Sequence, residues 1–87
     1  MNREQIRATV LEVLGQIAPE ADPASIDPRV NLREQLDIDS MDFLNFLVAL
    51  DKKLHVDIPE RDYGQLTTLD ACIDYLSDRQ DRQRPGS

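Results

Sequence analysis

A serine flanked by aspartates lies where a polar turn meets a long apolar segment. The turn contains Asp37 and Asp39, Ser40 follows it, and Asp42 is two residues further on. Asp39 and Ser40 are both residue types that cap helix N-termini, and Asp42 would add negative charge to a first turn, where the helix dipole favours it. If Asp39 is the cap, the Ser40 hydroxyl points outward beside unpaired backbone N–H groups, a position that stabilises a phosphate ester. The alternative is that Ser40 itself caps the helix, which is the commoner role of a serine before an apolar run.

Two other kinds of site are excluded by the spacing of these residues. A calcium loop beginning at Asp37 needs glycine at its sixth position and glutamate at its twelfth, but these positions hold Asp42 and Val48. A hydrolase with Ser40 as nucleophile needs a base within reach. The only histidine, His55, lies about four turns along the same predicted helix. The sequence therefore offers no base to activate Ser40, and we expect that the protein is not an enzyme.

The composition predicts a small acidic domain. The 87 residues carry a formal net charge of −7, with 31% charged and 40% hydrophobic residues, so we expect a single folded domain. The acidic excess opposes binding to nucleic acid and to anionic membranes. No apolar segment is long enough to span a bilayer, and the N-terminus has no signal sequence. We therefore expect a soluble, cytoplasmic monomer without a metal site.

The negative charge is concentrated in the middle of the chain. Residues 36–62 carry seven acidic and three basic residues, so this part of the chain would attract a basic partner.

Cys72 cannot form an internal disulfide and falls on an apolar helical stripe, so it is interpreted as a core residue. Tyr63 and Tyr75 are interpreted as partly buried packing residues.

Apolar periodicity predicts an all-α fold. Three segments at helical spacing and one short turn predict four helices, at about residues 3–17, 40–54, 59–63 and 68–79. Pro19 ends the first helix, Gly64 ends the short one, and Thr67 with Asp70 has the form of a capping box. Residues 18–38 contain three prolines and are predicted to be a long connection packed on the bundle. The result is a small four-helix up-and-down bundle over residues 1–79, followed by a flexible polar tail over 80–87.

The helix after Ser40 has two apolar stripes. One consists of Phe43, Leu47, Leu50 and Leu54, and the other of Met41, Leu44 and Val48. The core of a small bundle requires only one of them. We interpret the second stripe, with its neighbours Asp42 and Asn45, as a partner-facing surface. The alternative is that Met41, Leu44 and Val48 pack on the long connection.

Three parts of the chain together resemble the acyl carrier protein family. They are LREQLDIDSM at residues 32–41, VDIP at 56–59, and LTTL with ACIDYL at 66–76, and the likeness extends over residues 3–79. The resemblance implies that Ser40 carries 4′-phosphopantetheine, attached from coenzyme A by a phosphopantetheinyl transferase, and that the thiol of this arm holds an acyl group as a thioester. It implies that Asp39 helps the transferase to hold its magnesium ion and substrate. It also implies a carrier that presents acyl groups to other enzymes and catalyses nothing itself.

Two departures from the family pattern indicate a specialised member. Family members usually have glycine shortly before the aspartate–serine pair, where Asp37 and Ile38 stand, so the turn is expected to be stiffer or differently shaped. Members that act in fatty-acid synthesis commonly have a glutamate-rich helix after the serine. Here Phe43 replaces a small polar residue, and the matching outward positions hold Asn45, Lys52 and Lys53. We expect a stand-alone carrier for a dedicated fatty-acid, lipid or polyketide pathway.

The resemblance also implies the partners and leaves two alternatives. The partners are the transferase and acyl-transferring, acyl-activating or synthase enzymes with basic docking patches. An aminoacyl or peptidyl carrier, such as a D-alanyl carrier, is the alternative within the class, because the attachment chemistry is the same. An unmodified helical adaptor that retained the fold is the alternative from another class.

Overall fold

Three long helices form the frame of the protein. The structure is a computed structural model that describes residues 2–83, with side chains described to residue 81. The long helices are α1 (Arg3–Ile17), α3 (Ser40–Leu54) and α4 (Leu69–Gln83). The shorter elements are the 3₁₀-helix η1 (Pro23–Ser25), the helix α2 (Leu32–Leu36) and the 3₁₀-helix η2 (Glu60–Gln65). α1 packs on both α3 and α4, and η2 packs on α4. The predicted all-α bundle is confirmed.

The sequence around α1 explains where this helix begins and ends. The Asn2 side chain accepts the N–H of Gln5 at 2.9 Å, and the Gln5 side chain accepts the N–H of Asn2 at 2.9 Å. This reciprocal arrangement is a capping box. At the other end Ala18 is the C-cap, directly before Pro19, which cannot continue a helix. The predicted span of α1 is confirmed.

The buried faces of the long helices form one core. Each long helix contributes four residues: Ile6, Val10, Val13 and Leu14 from α1, Phe46, Leu47, Leu50 and Leu54 from α3, and Leu69, Cys72, Ile73 and Leu76 from α4. Burial of one large apolar side chain contributes roughly 1.5–3 kcal/mol. Since isolated helices of about 15 residues are marginal in water, this shared core stabilises them.

The connection between α1 and α3 is more regular than predicted. The long connection predicted over residues 18–38 is present, and it contains two short elements, η1 and α2, that were not predicted. The Asp22 side chain caps η1 by accepting the Ala24 N–H at 3.0 Å, and the Asn31 side chain caps α2 by accepting the Arg33 N–H at 2.9 Å. Helix α2 has five residues, which is too few to display an apolar period.

Hydrogen bonds hold this connection together and tie it to the residues before α4. The Gln35 side chain donates to the carbonyl oxygens of Asp27 at 2.8 Å and Val30 at 2.9 Å, and it accepts the Asp27 N–H at 3.0 Å. The Leu32 N–H donates to the Thr67 carbonyl oxygen at 2.8 Å, which ties α2 to the residues before α4. The connection is therefore packed, as expected, and it fixes the position of the turn before α3.

The boundaries of η2 and the start of α4 differ from those predicted. Gly64 lies inside η2 instead of ending it, and Pro59 is the residue before the helix instead of its first residue. The predicted capping box is also wrong, because the residue that caps α4 is Thr68. Its hydroxyl accepts the N–H of Ala71 at 3.1 Å. Two adjacent threonines make the choice of cap ambiguous in the sequence.

Helix α4 extends to Gln83, four residues beyond its predicted end. Side chains at the predicted end and just beyond it contact the bundle. Arg79 lies 2.8 Å from Asp62, and the Gln80 side chain donates to the Leu54 carbonyl oxygen at 3.5 Å. Of the predicted flexible tail over 80–87, residues 80–83 are helical and residues 84–87 lie outside the described residues. The domain boundary at residue 79 stays a prediction.

Candidate functional site

A tight turn positions Ser40 at the first residue of α3. Asp37 is the C-cap of α2 and has φ of 52° and ψ of 44°, in the left-handed region. The N–H groups of both Asp37 and Ile38 donate to the carbonyl oxygen of Arg33, that of Ile38 at 3.3 Å. A left-handed residue at a helix end turns the chain sharply. Asp37 thus adopts the conformation that glycine provides most easily, which short polar side chains such as aspartate tolerate.

Asp39 caps α3 and leaves Ser40 free. The Oδ1 atom of Asp39 accepts the N–H of Asp42 at 2.8 Å, and the Asp39 carbonyl oxygen accepts the N–H of Phe43 at 3.0 Å. Ser40 occupies the first helical position and is exposed. Within residues 2–81, no protein group forms a hydrogen bond with its hydroxyl. Of the two caps that the sequence left open, the structure shows Asp39, and the alternative that Ser40 is the cap is wrong.

The start of α3 suits a phosphate group attached to Ser40. The first N–H groups of a helix have no acceptor within the helix. The Asp39 side chain accepts the N–H of Asp42. The N–H groups of Ser40 and Met41 donate to no acceptor in the described part of the chain. The helix dipole adds partial positive charge at the same end. An exposed hydroxyl beside two such N–H groups therefore fits a covalently bound phosphodiester.

The second apolar stripe of α3 lies at the surface. Met41 is 64% exposed, Leu44 is 40% exposed and Val48 is 37% exposed, so a substantial part of each side chain is accessible to solvent. Asn45 is exposed as well, and Asp42 is half-buried. These five residues are accessible to a partner to different degrees. Their role in docking stays a prediction.

Two residues expected near the partner surface point elsewhere. Phe43 is half-buried against the core, and its ring centroid lies 5.9 Å from that of Phe46. Lys53 faces α1, because its Nζ lies 2.7 Å from Oε1 of Glu12. Phe43 continues the core stripe of α3 at helical spacing, which explains its direction. Of the two lysines at the end of α3, Lys52 is therefore the one that follows the exposed stripe.

Two open clefts border the turn before Ser40. The larger, about 460 Å³, is lined by residues of the α1–η1 connection and of the turn, including Ile17, Leu36, Ile38 and Asp42. The smaller, about 300 Å³, is lined by Asn31, Arg33, Glu34 and Ile38. Such volumes are at the lower end of those of small-molecule sites, about 300–1,000 Å³. Ser40 lines neither cleft.

A cluster of polar side chains joins η2 to α4, and sequence reasoning missed it. The Tyr75 hydroxyl donates to Oδ2 of Asp62 at 2.6 Å, and Arg79 donates to the same oxygen at 2.8 Å. Asp62 is only 8% exposed. The Tyr75 hydrogen bond is the largest influence that lowers the pKa of Asp62, burial opposes it, and Arg79 lowers the pKa further. Tyr75 and Arg79 are four residues apart on one helix, the only sequence signal of this cluster.

Cys72 and His55, the other two side chains considered for chemistry, have structural roles. Cys72 is buried, its Sγ donates to the Leu66 carbonyl oxygen at 3.3 Å, and burial raises the pKa of the thiol to about 12. His55 is the C-cap of α3, at the opposite end of the helix from Ser40. Among residues 2–83, no three or more His, Cys, Asp and Glu residues are grouped so that they could hold a metal ion. No described helix has the length and apolar character needed to cross a membrane.

Comparison with known proteins agrees with this geometry. Residues 4–76 match the family model described as "Phosphopantetheine attachment site". An acyl carrier protein of Rubrobacter xylanophilus is 26% identical over 80 residues, which are 92% of this chain and 98% of that protein. Acyl carrier protein 2, mitochondrial, of Arabidopsis thaliana is 22% identical over 77 residues, which are 88% of this chain. The match spans only 60% of the length of that second relative.

A solved structure shows the same fold. The acyl carrier protein of Enterococcus faecalis superposes with a TM-score of 0.78 at 20% sequence identity, over 91% of this chain and 99% of that chain. At this identity the likeness establishes the fold alone. The family model, in contrast, covers most of the chain, including the turn and α3. The chain therefore belongs to the acyl carrier protein family, whose members carry covalently attached 4′-phosphopantetheine.

Proposed function

We propose that Ser40 is the residue that carries the phosphopantetheine arm, and that the protein presents acyl groups to the enzymes of a dedicated fatty-acid, lipid or polyketide pathway. The observation that carries this proposal is the Ser40 hydroxyl, which is exposed and forms no hydrogen bond with a described residue at the start of α3. When bound, the arm supplies a terminal thiol that holds the acyl group as a thioester. The chain itself acts as a carrier and not as an enzyme.

Asp39 has two roles in this proposal. Its Oδ1 accepts the Asp42 N–H at 2.8 Å, which holds the first turn of α3 and so fixes the position of Ser40. Its Oδ2 has no hydrogen-bond partner in the described part of the chain. Carboxylate oxygens are preferred ligands of Mg²⁺. Oδ2 is therefore proposed to contact the magnesium ion that the phosphopantetheinyl transferase holds.

Partner enzymes are proposed to dock on the outward side of α3 beside Ser40. The proposed surface consists of Met41, Asp42, Leu44, Asn45 and Val48. Exposed apolar side chains next to an acidic turn fit an enzyme with an apolar patch bordered by basic groups. Members of this family act with transferase and synthase enzymes. A docked enzyme meets a tethered substrate at a high effective concentration.

Intact-protein mass spectrometry tests the attachment chemistry. The protein is incubated with coenzyme A, Mg²⁺ and a broad-specificity phosphopantetheinyl transferase. We expect every molecule to gain the mass of one phosphopantetheine. An unmodified helical adaptor would gain no mass, and that result would overturn the proposed function.

The cargo and the pathway are tested on the modified protein. We expect acyl-loading enzymes to charge it and an amino-acid-adenylating enzyme, such as one that activates D-alanine, to leave it uncharged. The opposite result would favour an aminoacyl or peptidyl carrier. We also expect fatty-acid-synthesis enzymes to use it with lower kcat/KM than their own carrier. Equal kcat/KM would contradict a dedicated pathway.

The location in the cell is part of the same proposal. We propose a cytoplasmic carrier, and the mitochondrial relative of Arabidopsis thaliana makes the mitochondrion the alternative. Fractionation of the native cell, with detection of the protein by mass spectrometry, distinguishes the two. Recovery in an organelle fraction would contradict the cytoplasmic assignment.

A further inference from the structure

Lys52 extends the exposed apolar stripe of α3 to the far end of the helix. Met41, Leu44 and Val48 follow one another at spacings of three and four residues, and Lys52 follows Val48 by four. Residues at these spacings share one face of a helix. Lys52 is exposed, and it forms no ion pair with a described residue. This face of α3 therefore changes along its length from an acidic turn, through an apolar centre, to a cation.

Lys53, the neighbour of Lys52 on α3, differs from it because Lys53 forms an ion pair within the bundle. The Nζ atom of Lys53 lies 2.7 Å from Oε1 of Glu12, so this lysine links α3 to α1. Both lysines place positive charge in the last turn of α3, where the helix dipole favours it, so the ion pair with Glu12 is what distinguishes Lys53. Lys52 has no comparable contact within the described bundle. Its charge is therefore available to a molecule that docks on the stripe.

We infer that the partner enzyme of this carrier docks along the face of α3 from Ser40 to Lys52 and places a carboxylate opposite Lys52. The inference rests on the proposed function and adds the chemistry of the partner. Lys52 follows Ser40 by 12 residues, which corresponds to about 18 Å along a helix. The partner's docking face thus has basic groups at the opening that receives the arm, an apolar centre, and an acidic group about 18 Å from that opening.

This charge arrangement gives Lys52 a role in choosing partners. A docking face that is basic along its whole length would bring a like charge against Lys52, which disfavours that complex. The same face would still attract the acidic turn around Asp39. Lys52 therefore discriminates between partners that are equally attractive at the Ser40 end of α3.

A charge-swap cycle tests this inference on the modified protein. The probes are a fatty-acid β-ketoacyl synthase with a wholly basic docking face and a variant of it, in which the basic residue farthest from the active-site opening is replaced by glutamate. Each probe is titrated against the wild-type carrier and against Lys52→Glu. The matched control is Arg7→Glu. Arg7 is exposed on α1, forms no ion pair with a described residue, and undergoes the same change of charge.

The wild-type carrier is expected to bind the glutamate-containing synthase about threefold to fivefold more tightly than the parent synthase. Lys52→Glu is expected to reverse this preference, and Arg7→Glu to keep the wild-type preference. The inference would be overturned if both synthases bound the wild-type carrier and Lys52→Glu with equal affinity, or if neither synthase bound either carrier measurably. A reversal with Arg7→Glu as well would also overturn it, because the effect would then come from net charge.

Mass spectrometry before the titrations separates this inference from the proposed function. A carrier that gains no phosphopantetheine refutes the proposed function itself. A carrier that is fully modified, but whose preference does not depend on Lys52, refutes only the inference about the partner.

Discussion

Asp39 accepts the backbone N–H of Asp42 at 2.8 Å, and Ser40 lies between these two residues with its side chain exposed. Asp39 thus caps α3, and attachment of the arm is proposed for the adjacent residue, Ser40. An N-cap contributes to stability, whereas an exposed hydroxyl at the first helical position contributes little. Substitutions of Asp39 and of Ser40 should therefore separate stability from loading.

Substitutions of Asp39 by alanine and by asparagine should have different effects. Asp39→Ala removes the capping oxygen and should lower the free energy of unfolding by about 1 kcal/mol. Asp39→Asn keeps an equivalent capping oxygen, so its free energy of unfolding should change by less than about 0.5 kcal/mol. Both remove the carboxylate that is proposed to face the transferase, so both should slow the modification of Ser40. Denaturant unfolding and transferase kinetics measure the two effects, and wild-type kinetics for Asp39→Asn would contradict the role given to Asp39.

Asp37→Gly should stabilise the protein. Asp37 has φ of 52°, a conformation that glycine adopts without steric strain. We expect the free energy of unfolding to rise by about 0.5–1 kcal/mol, as measured by denaturant titration. Asp37→Ala is the control and should destabilise, because its Cβ disfavours positive φ and it lacks the polar side chain. A lower stability for Asp37→Gly would contradict the assigned turn geometry.

The sequence was sufficient to predict a helix where the signal is local or strongly periodic. The apolar spacing of Ile6, Val10 and Val13 predicts α1 and its buried face. The polar turn directly before a long apolar segment predicts the start of α3, but it offers both Asp39 and Ser40 as the cap, and the structure shows that Asp39 is the cap. The position of the candidate site could therefore be predicted from one helix and the residue before it, whereas the role of Ser40 was implied only by the resemblance of three segments to a family.

The features that were missed depend on contacts between distant residues. Asp62 and Tyr75 are 13 residues apart, and their hydrogen bond exists only because η2 packs on α4. Helix α2 has five residues and is supported by side-chain and backbone bonds, such as that from Leu32 to Thr67, more than by helix propensity. The direction of Lys53 could not be predicted either, since its partner Glu12 lies on another helix.

Asp62 should make the stability of the protein depend on pH. Its pKa is lowered from 3.8 on folding, so its ionised form stabilises the folded state above pH 3.8, and this contribution is lost as the pH falls further. Asp62→Asn should therefore have a lower Tm than wild type at neutral pH, and the difference should shrink below pH 3.8. Asp57→Asn, at an exposed position, is the control. Thermal unfolding over a pH series measures this, and a difference independent of pH would refute the role of Asp62.

The thiol of Cys72 should be unreactive in the folded protein. Cys72 is buried, and its thiol has a pKa of about 12, so almost no thiolate is present at pH 8. In the unmodified protein, a thiol reagent should react only after denaturation. In the modified protein, one thiol for each chain should react without denaturation, and it belongs to the arm. Rapid reaction of the folded, unmodified protein would show that Cys72 is accessible.

Attachment of phosphopantetheine at Ser40 is the central claim, and tandem mass spectrometry of the modified protein tests it most directly. We expect the modification on Ser40 alone. Ser40→Ala should stay unmodified while its circular dichroism is unchanged and its free energy of unfolding differs by less than about 0.5 kcal/mol, because Asp39 still caps α3. Modification of another residue, or continued modification of Ser40→Ala, would contradict the claim.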